Sequence, residues 1–187
     1  MRRSKEPRPK RARSKIVVYG IILASLALMG GIVYFVYTSL PGRYSYRLLF
    51  QLNIIIGNPD NNQTQFAAIP ANIGVDPALW NFHDFDAFGV NGRAPIYTLE
   101  DTGIVRVQSG VRFNYTLGDF FNIWGRSFNQ TCIQVDQFYC SNSHNHMFLS
   151  LLVRHTTEAN YTVNPYFQDY VMGDRDSIRV VYQQFFP

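Results

Sequence analysis

One uninterrupted run of 27 uncharged residues, at positions 16–42, constrains this chain more than any other feature of its sequence. An apolar stretch longer than about 18 residues is typical of a membrane-spanning helix. As a helix, the 25 residues from Ile16 to Leu40 would extend roughly 37 Å, which exceeds the thickness of the hydrocarbon core of a bilayer. We therefore predict a transmembrane helix over residues 16–40.

The 15 residues ahead of this run hold eight Lys or Arg and one Glu. Basic segments that flank a membrane-spanning helix remain on the cytoplasmic side. The pattern predicts a single-pass protein of the cell membrane, with residues 1–15 as a basic cytoplasmic tail. Residues 43–187 then form an extracytoplasmic domain, which is long enough to have its own hydrophobic core.

A cleavable signal peptide is the competing interpretation of the apolar run. Such peptides have an apolar region of about 7–15 residues and an A-x-A-like cleavage site. Here the run is longer, and the sequence Ser39-Leu40-Pro41-Gly42 contains no such site. The sequence therefore favours a signal anchor that remains part of the protein.

Four small residues of the predicted span recur at spacings of four, three and four, and so share one helical face: Gly20, Ala24, Ala27 and Gly31. Small side chains allow a second helix to approach closely, because packing drives helix association in lipid. This face predicts contact with an integral membrane subunit of a larger complex.

The positive charge of the chain is concentrated in the predicted tail. Outside residues 1–15 there are nine arginines, no lysine and twelve acidic residues, a net charge of −3. A domain with this balance lacks the basic surface on which nucleic-acid binding depends. We therefore expect the partners to be the membrane and proteins within it, with no nucleic acid.

The pattern of the exported part predicts an α+β domain that is mostly β. Alternating apolar residues predict a long strand that ends at Gly57, and further strands are expected at 104–108, 147–153 and 177–185, with 66–75 extended. One short helix is expected at 117–124, opened by Thr116 and Asp119 as a capping box and stopped by Gly125. The strand–helix–strand–strand order after residue 103 indicates a β-grasp-like arrangement, with a sandwich as the alternative.

The two cysteines of the chain are Cys132 and Cys140. In an extracytoplasmic domain such a pair most often forms a disulfide, and we predict one here. The alternative interpretation adds His144 and His146 to form a metal site of the pattern C-x7-C-x3-H-x-H. Two histidines separated by one residue point the same way on a strand, but this spacing matches no established zinc pattern.

The remaining motifs of the sequence do not indicate a catalytic site. Four N-x-S/T sequons are glycosylation candidates on an exported surface: Asn62, Asn114, Asn129 and Asn160. The sequence His83-Asp84-Phe85-Asp86 is interpreted as a solvated turn, since catalytic groups are rarely sequence neighbours. The familiar nucleophile, zinc-protease, phosphate-loop and dinucleotide motifs do not occur. We therefore expect neither catalysis, nor a cofactor, nor a small-molecule substrate.

Two segments resemble a family of small membrane-anchored extracytoplasmic domains that is abundant in ammonia-oxidising archaea. They are residues 95–109, PIYTLEDTGIVRVQS, and residues 115–125, YTLGDFFNIWG. Residues 69–76 and 169–178 also look like this family, so the resemblance spans roughly residues 66–183. The run YTLGDFFNIWG is its most specific part.

The resemblance to this family has two implications for function. Members of that family carry three histidines at the positions of Tyr97, Leu99 and Arg106, so any metal site there would be absent from this chain. A scaffold without its site indicates a non-catalytic accessory subunit, with archaeal ammonia monooxygenase as the candidate complex. The alternative is an anchored copper- or metal-binding protein that uses His144 and His146.

The closing strand also looks like that of ubiquitin-like sulfur carriers. The ending Phe-Phe-Pro lacks the Gly-Gly of those carriers, so a carrier role is not expected.

Overall fold

The computed structural model describes residues 11–39, 46–58 and 63–185, and these fall into two compact units. The first unit is the helix α1 (Arg11–Ser39). Its segment Val17–Val36 is long and apolar enough to cross a membrane, and the side chains of that segment are exposed. The chain therefore has an N-terminal helix suited to single-pass membrane anchoring.

The second unit is an α+β domain that is mostly β. In chain order it contains β1 (Tyr46–Gly57), β2 (Thr64–Ala67), β3 (Ile96–Thr98), β4 (Ile104–Ser109), α2 (Leu117–Trp124), β5 (Cys132–Gln134), β6 (Phe138–Cys140), β7 (Met147–Arg154), β8 (Thr162–Val163) and β9 (Ser177–Gln184). Short 3-10 turns lie at Pro77–Leu79, Asp86–Phe88 and Phe167–Asp169. The predicted class, an apolar helix followed by a mostly-β domain with one further helix, is confirmed.

Seven of these strands form one mixed sheet in the order β3-β4-β1-β9-β7-β8, with β2 paired to the far end of β1. The central strands β1 and β9 are parallel, and their outer neighbours β4 and β7 are antiparallel to them. With α2 between β4 and β7 in the chain, this order corresponds to the β-grasp alternative. The remaining strands, β5 and β6, form a separate hairpin.

The strand β1 shows how the sheet acquires two unlike faces. Side chains alternate along a strand, and the even-numbered ones from Leu48 to Ile56 are at most 4% exposed. They share one core with the apolar side of α2, which contributes Leu117, Phe120, Phe121, Ile123 and Trp124. The odd-numbered side chains from Leu49 to Ile55 retain exposed surface on the opposite side. We call this second side the open face.

The helix α2 begins and ends where the sequence predicts. The Thr116 side chain accepts a hydrogen bond from the Asp119 backbone N–H, and the Asp119 carboxylate accepts one from the Thr116 N–H. Gly125 ends the helix in the left-handed conformation, with φ of 74°, which costs glycine little.

The prediction that residues 66–75 are extended is wrong for the second half of this segment. The strand β2 ends at Ala67, and residues 71–75 form a turn.

Candidate functional site

The small-residue row of α1 lies on an exposed helix. Gly20, Ala24, Ala27 and Gly31 are all exposed, and apart from the adjacent residues and the nearby helix backbone no described atom lies within 4 Å of a Cβ built on either glycine. The row thus offers space for the backbone of another helix. Helix packing at this row stays a prediction.

The two cysteines lie directly opposite each other at the ends of the β5–β6 hairpin. The structure brings them into a disulfide, with an S–S distance of 2.10 Å and a Cα–Cα distance of 4.1 Å. The turn that leads into β5 is held by Asn129, whose Oδ1 accepts hydrogen bonds from the N–H groups of Thr131 and Cys132. The hairpin is therefore closed both by the disulfide and by a local side-chain turn.

Replacing both Cys132 and Cys140 with alanine is expected to lower the free energy of unfolding by about 2–3 kcal/mol, because the unfolded chain regains loop entropy. Denaturant unfolding of the oxidised protein and the double variant measures this difference. Wild-type protein treated with a reductant provides the control and should lose a similar amount. Equal stability of all three forms would contradict a structural role for the disulfide.

The structure does not bring the predicted alternative metal ligands together. His144 and His146 are exposed and lie in a turn between β6 and β7 rather than on a strand. His146 has a φ of 53°, so the alternation that would align the two rings on a strand does not apply. The cysteines are joined in the disulfide, and in the described parts of the chain no three His, Cys, Asp or Glu side chains form a group that could hold a metal ion.

Three of the glycosylation candidates, Asn114, Asn129 and Asn160, are exposed, whereas Asn62 lies outside the described residues. In the His83–Asp86 segment the three polar residues are also exposed, whereas Phe85 packs against the core. The His83 imidazole Nδ1 lies 2.9 Å from the Asp86 carboxylate, as an i,i+3 pair within a turn. Both observations agree with surface positions, and glycosylation stays a prediction.

The positions at which the resembling family has histidines lie close together in the fold. Tyr97 on β3 is the direct partner of Arg106 on β4. The Arg106 guanidinium lies 3.4 Å from the Glu100 carboxylate, and its Nη1 is buried without an acceptor among the described residues. Arg93 stacks over the Tyr97 ring at 5.4 Å. An arginine–tyrosine cluster with one carboxylate thus occupies this location.

A second arginine–tyrosine cluster lies on the open face. The register of β7 and β9 places Arg154 and Arg179 as diagonal neighbours on one side of the sheet. Their guanidinium carbons lie 5.0 and 4.0 Å from the centre of the Tyr161 ring. The Tyr161 hydroxyl is 2.5 Å from Ser177 Oγ, which fixes the ring in place. Neither arginine forms an ion pair with any described carboxylate, so two cations face outward together.

The open face also has apolar side chains that are exposed or half-buried, alongside polar ones such as Asn53, the β1 partner of Arg179. The apolar side chains on this face include Leu49, Ile55, Phe148 and Leu152. Guanidinium groups beside exposed apolar surface favour a protein partner that carries carboxylates, because arginine binds carboxylate through two parallel hydrogen bonds. The open face can therefore form a mixed polar and apolar interface.

A buried carboxylate, Asp176, holds the turn that leads into β9. It is 3% exposed and accepts hydrogen bonds from the Tyr170 hydroxyl and, at 2.8 Å, from the Gly173 N–H. Its other oxygen lies 2.8 Å from His155 Nδ1, just beyond β7. This hydrogen bond raises the pKa of His155, while burial, followed by the bond to Asp176, raises the pKa of Tyr170. The network ties the ends of two neighbouring strands together.

The sequence alone did not indicate the side chains of the Tyr161 cluster or of the Asp176 network. Tyr161 and Arg179 are 18 positions apart, and His155 and Asp176 are separated by 21. The only sequence pattern that included any of these residues was the segment 169–178, which is part of the resemblance to the archaeal family. Comparison with protein-family models, with curated proteins and with solved structures finds no match to this chain.

Proposed function

We propose that this protein is a non-catalytic, single-pass accessory subunit of a membrane protein complex. The observation that supports this best is the open face, where Arg154 and Arg179 meet at Tyr161 without a described carboxylate partner. Aromatic residues and arginine are enriched at protein interfaces. The proposal assigns the open face to contact with a larger subunit.

The membrane location in this proposal rests on α1 and on the basic tail. An exposed apolar helix of this length is stable in a bilayer and costly to leave in water. The tail of eight basic residues and one acidic residue supports a cytoplasmic N-terminus. The folded domain, with its disulfide hairpin, would then lie on the oxidising, extracytoplasmic side.

The candidate complex is archaeal ammonia monooxygenase. Its support is the resemblance of residues 95–125 to domains of ammonia-oxidising archaea, together with the occupation of the three histidine positions by Tyr97, Leu99 and Arg106. The role of the chain in such a complex would be to brace or cover the larger subunits, and the chemistry would belong to those subunits.

Purification from native membranes in mild detergent tests the proposal. Mass spectrometry of the co-migrating proteins, with metal analysis of each band, should recover the chain with integral membrane subunits and assign no metal to it. Recovery of the chain alone would contradict the accessory role. A lone chain loaded with metal would instead support the metal-binding alternative at His144 and His146.

Replacing Arg179 with glutamate should release the chain from its complex, because a repulsive charge at an interface costs several kcal/mol. Native gel migration of the detergent extract measures this, and we expect at least about a tenfold loss of the complex band, which corresponds to 1.4 kcal/mol or more. The matched control is Arg112→Glu, an exposed arginine in the loop after β4. Equal retention of both variants would exclude the open face as the contact.

A further inference from the structure

Two loop segments meet at the end of the sheet where β1 begins. Tyr46, the first residue of β1, is paired with Ser109, the last residue of β4. The chain then continues into the segment 110–114, and the Gly110 N–H donates a hydrogen bond to the Phe88 carbonyl at 3.0 Å. This bond holds the loop after β4 beside the loop that contains Phe88.

Ring contacts join aromatic residues of the two loops into one group. The Phe113 ring stacks on Phe88, with centroids 6.1 Å apart, and lies 5.6 Å from the Phe85 ring. On its other side it lies 5.1 Å from the ring of the buried Tyr115. We call Phe85, Phe88 and Phe113, together with Val111 on the same loop as Phe113, the β1-end cluster.

The β1-end cluster keeps apolar surface in contact with solvent. Val111 and Phe113 are each 41% exposed, and Phe85 and Phe88 are half-buried. Scattered single apolar residues are common on protein surfaces, whereas a contiguous group indicates a contact with protein or membrane. The rings of this group are already ordered by one another, so a contact would cost little additional side-chain entropy.

The position of the cluster in the chain favours the membrane as its partner. The helix α1 ends at Ser39 and β1 begins at Tyr46. At about 3.6 Å per residue, the connection between these two residues reaches at most about 25 Å. Tyr46 lies next to the cluster, since its ring is 6.5 Å from that of Tyr115. Chain length alone therefore keeps the cluster near any bilayer that α1 spans.

The charge of the two loops favours the apolar part of the bilayer over charged lipid headgroups. Residues 83–93 and 110–115 contain two aspartates and two arginines. Attraction to anionic lipid depends on an excess of basic residues, which these loops lack. Apolar side chains of interfacial segments, phenylalanine among them, enter the boundary between headgroups and acyl chains to a depth of about 5–10 Å. The composition of the cluster fits this boundary.

We propose that the β1-end cluster inserts into the interfacial layer of the bilayer that α1 spans. The exported domain then contacts the membrane through the end of the sheet at which β1 begins. This second attachment restricts the orientations of the domain. The inference rests on the membrane location in the proposed function, and it does not involve the open face.

Quenching of tryptophan fluorescence by brominated lipid tests the contact. The full chain is reconstituted into phosphatidylcholine vesicles whose acyl chains are either unmodified or brominated in their upper part. Phe113→Trp places a reporter in the cluster, and Val111→Trp is a second reporter there. The matched control is Phe66→Trp, because Phe66 is 74% exposed and lies on β2 opposite Ile55. About 30 Å of strand separates Ile55 from Tyr46.

The measured quantity is the emission that each variant adds to that of the wild type, which contains Trp80 and Trp124. Brominated lipid should remove most of the added emission of the two cluster reporters and leave that of Phe66→Trp unchanged. Adding Val111→Ser to Phe113→Trp should reduce the quenching, because it removes an apolar side chain from the cluster. Val163→Ser, at a 73% exposed position on β8, should not. The thermal unfolding midpoint shows that each variant is folded.

Flotation of the vesicles in a density gradient separates this proposal from the proposed function. A chain that does not float lacks the membrane location on which both depend. A chain that floats, with equal quenching of cluster and control reporters or with none, keeps that location and overturns the lipid contact alone. Absence of quenching is also the result expected if a protein partner covers the cluster. Quenching that requires anionic lipid in the vesicles would overturn the proposal too, because it would indicate headgroup charge rather than apolar insertion.

Discussion

Replacing Phe121 with alanine is expected to lower the free energy of unfolding by about 3–5 kcal/mol, the usual loss for a fully buried phenylalanine. Phe121 is 0% exposed. Its ring stacks on Phe128 at 4.6 Å and contacts Phe120 and Trp124 at 5.7 and 5.8 Å. The variant would lose these contacts and leave a cavity between α2 and the segment that leads into β5. Because the free energy of unfolding of a small domain is about 5–15 kcal/mol, the variant would lose a large part of its total stability.

Denaturant unfolding of the full chain in detergent, followed by tryptophan fluorescence, measures this loss. The matched control is Phe138→Ala, since Phe138 is 59% exposed on the hairpin and should change stability by less than about 0.5 kcal/mol. Similar losses for the two variants would mean that Phe121 is not buried as described. A loss at Phe121 alone would show that this side of α2 belongs to the hydrophobic core.

Replacing Asp176 with alanine should cost about 3–5 kcal/mol, because it leaves buried groups without their partner. The Tyr170 hydroxyl and the Gly173 N–H would both lose their acceptor. Asp176→Asn keeps the shape and one acceptor oxygen, so its loss should be smaller. Asp84→Ala, at an exposed position, is the control and should be close to neutral. Unchanged stability of the Asp176→Ala variant would contradict a stabilising role for the Asp176 network at the start of β9.

The same network predicts a dependence of stability on pH. The hydrogen bond to Asp176 raises the pKa of His155 above its ordinary value of 6.5, so the folded state holds the proton more tightly than the unfolded state. The resulting stabilisation is complete below about pH 6.5 and is lost as the pH rises through the raised pKa. Unfolding of the wild type and of His155→Gln at pH 6 and pH 8.5 measures it. The difference between the two proteins should shrink at the higher pH, and a constant difference would contradict the prediction.

Features that depend on neighbouring residues could be predicted from the sequence. The capping box of Thr116 and Asp119 and the stop at Gly125 determine α2 within one turn at each end. The alternating apolar residues predicted the strand β1, and the structure buries that apolar set from Leu48 to Ile56. The uncharged run predicted the helix that contains Val17–Val36, because length and polarity alone decide whether a helix suits a bilayer.

Features that depend on distant pairing could not be predicted in this way. The strands β3, β5 and β6 have three residues each and β8 has two, too few for a periodic pattern to be recognised. The metal alternative at His144 and His146 assumed a strand, whereas the structure has a turn there with φ of 53° at His146. Whether such a short segment forms a strand or a turn depends on how the neighbouring strands pair.

The sequence by itself determined that this chain has an apolar helix of membrane length followed by an α+β domain, because hydrophobic periodicity and capping act over a few residues. Only the tertiary structure decided where side chains meet. The register of β7 and β9 placed Arg154 and Arg179 together, and the fold set β2 beside the hairpin and Trp124. Contacts between residues far apart in the chain follow from strand order and register, which are set by the free energy of the whole core.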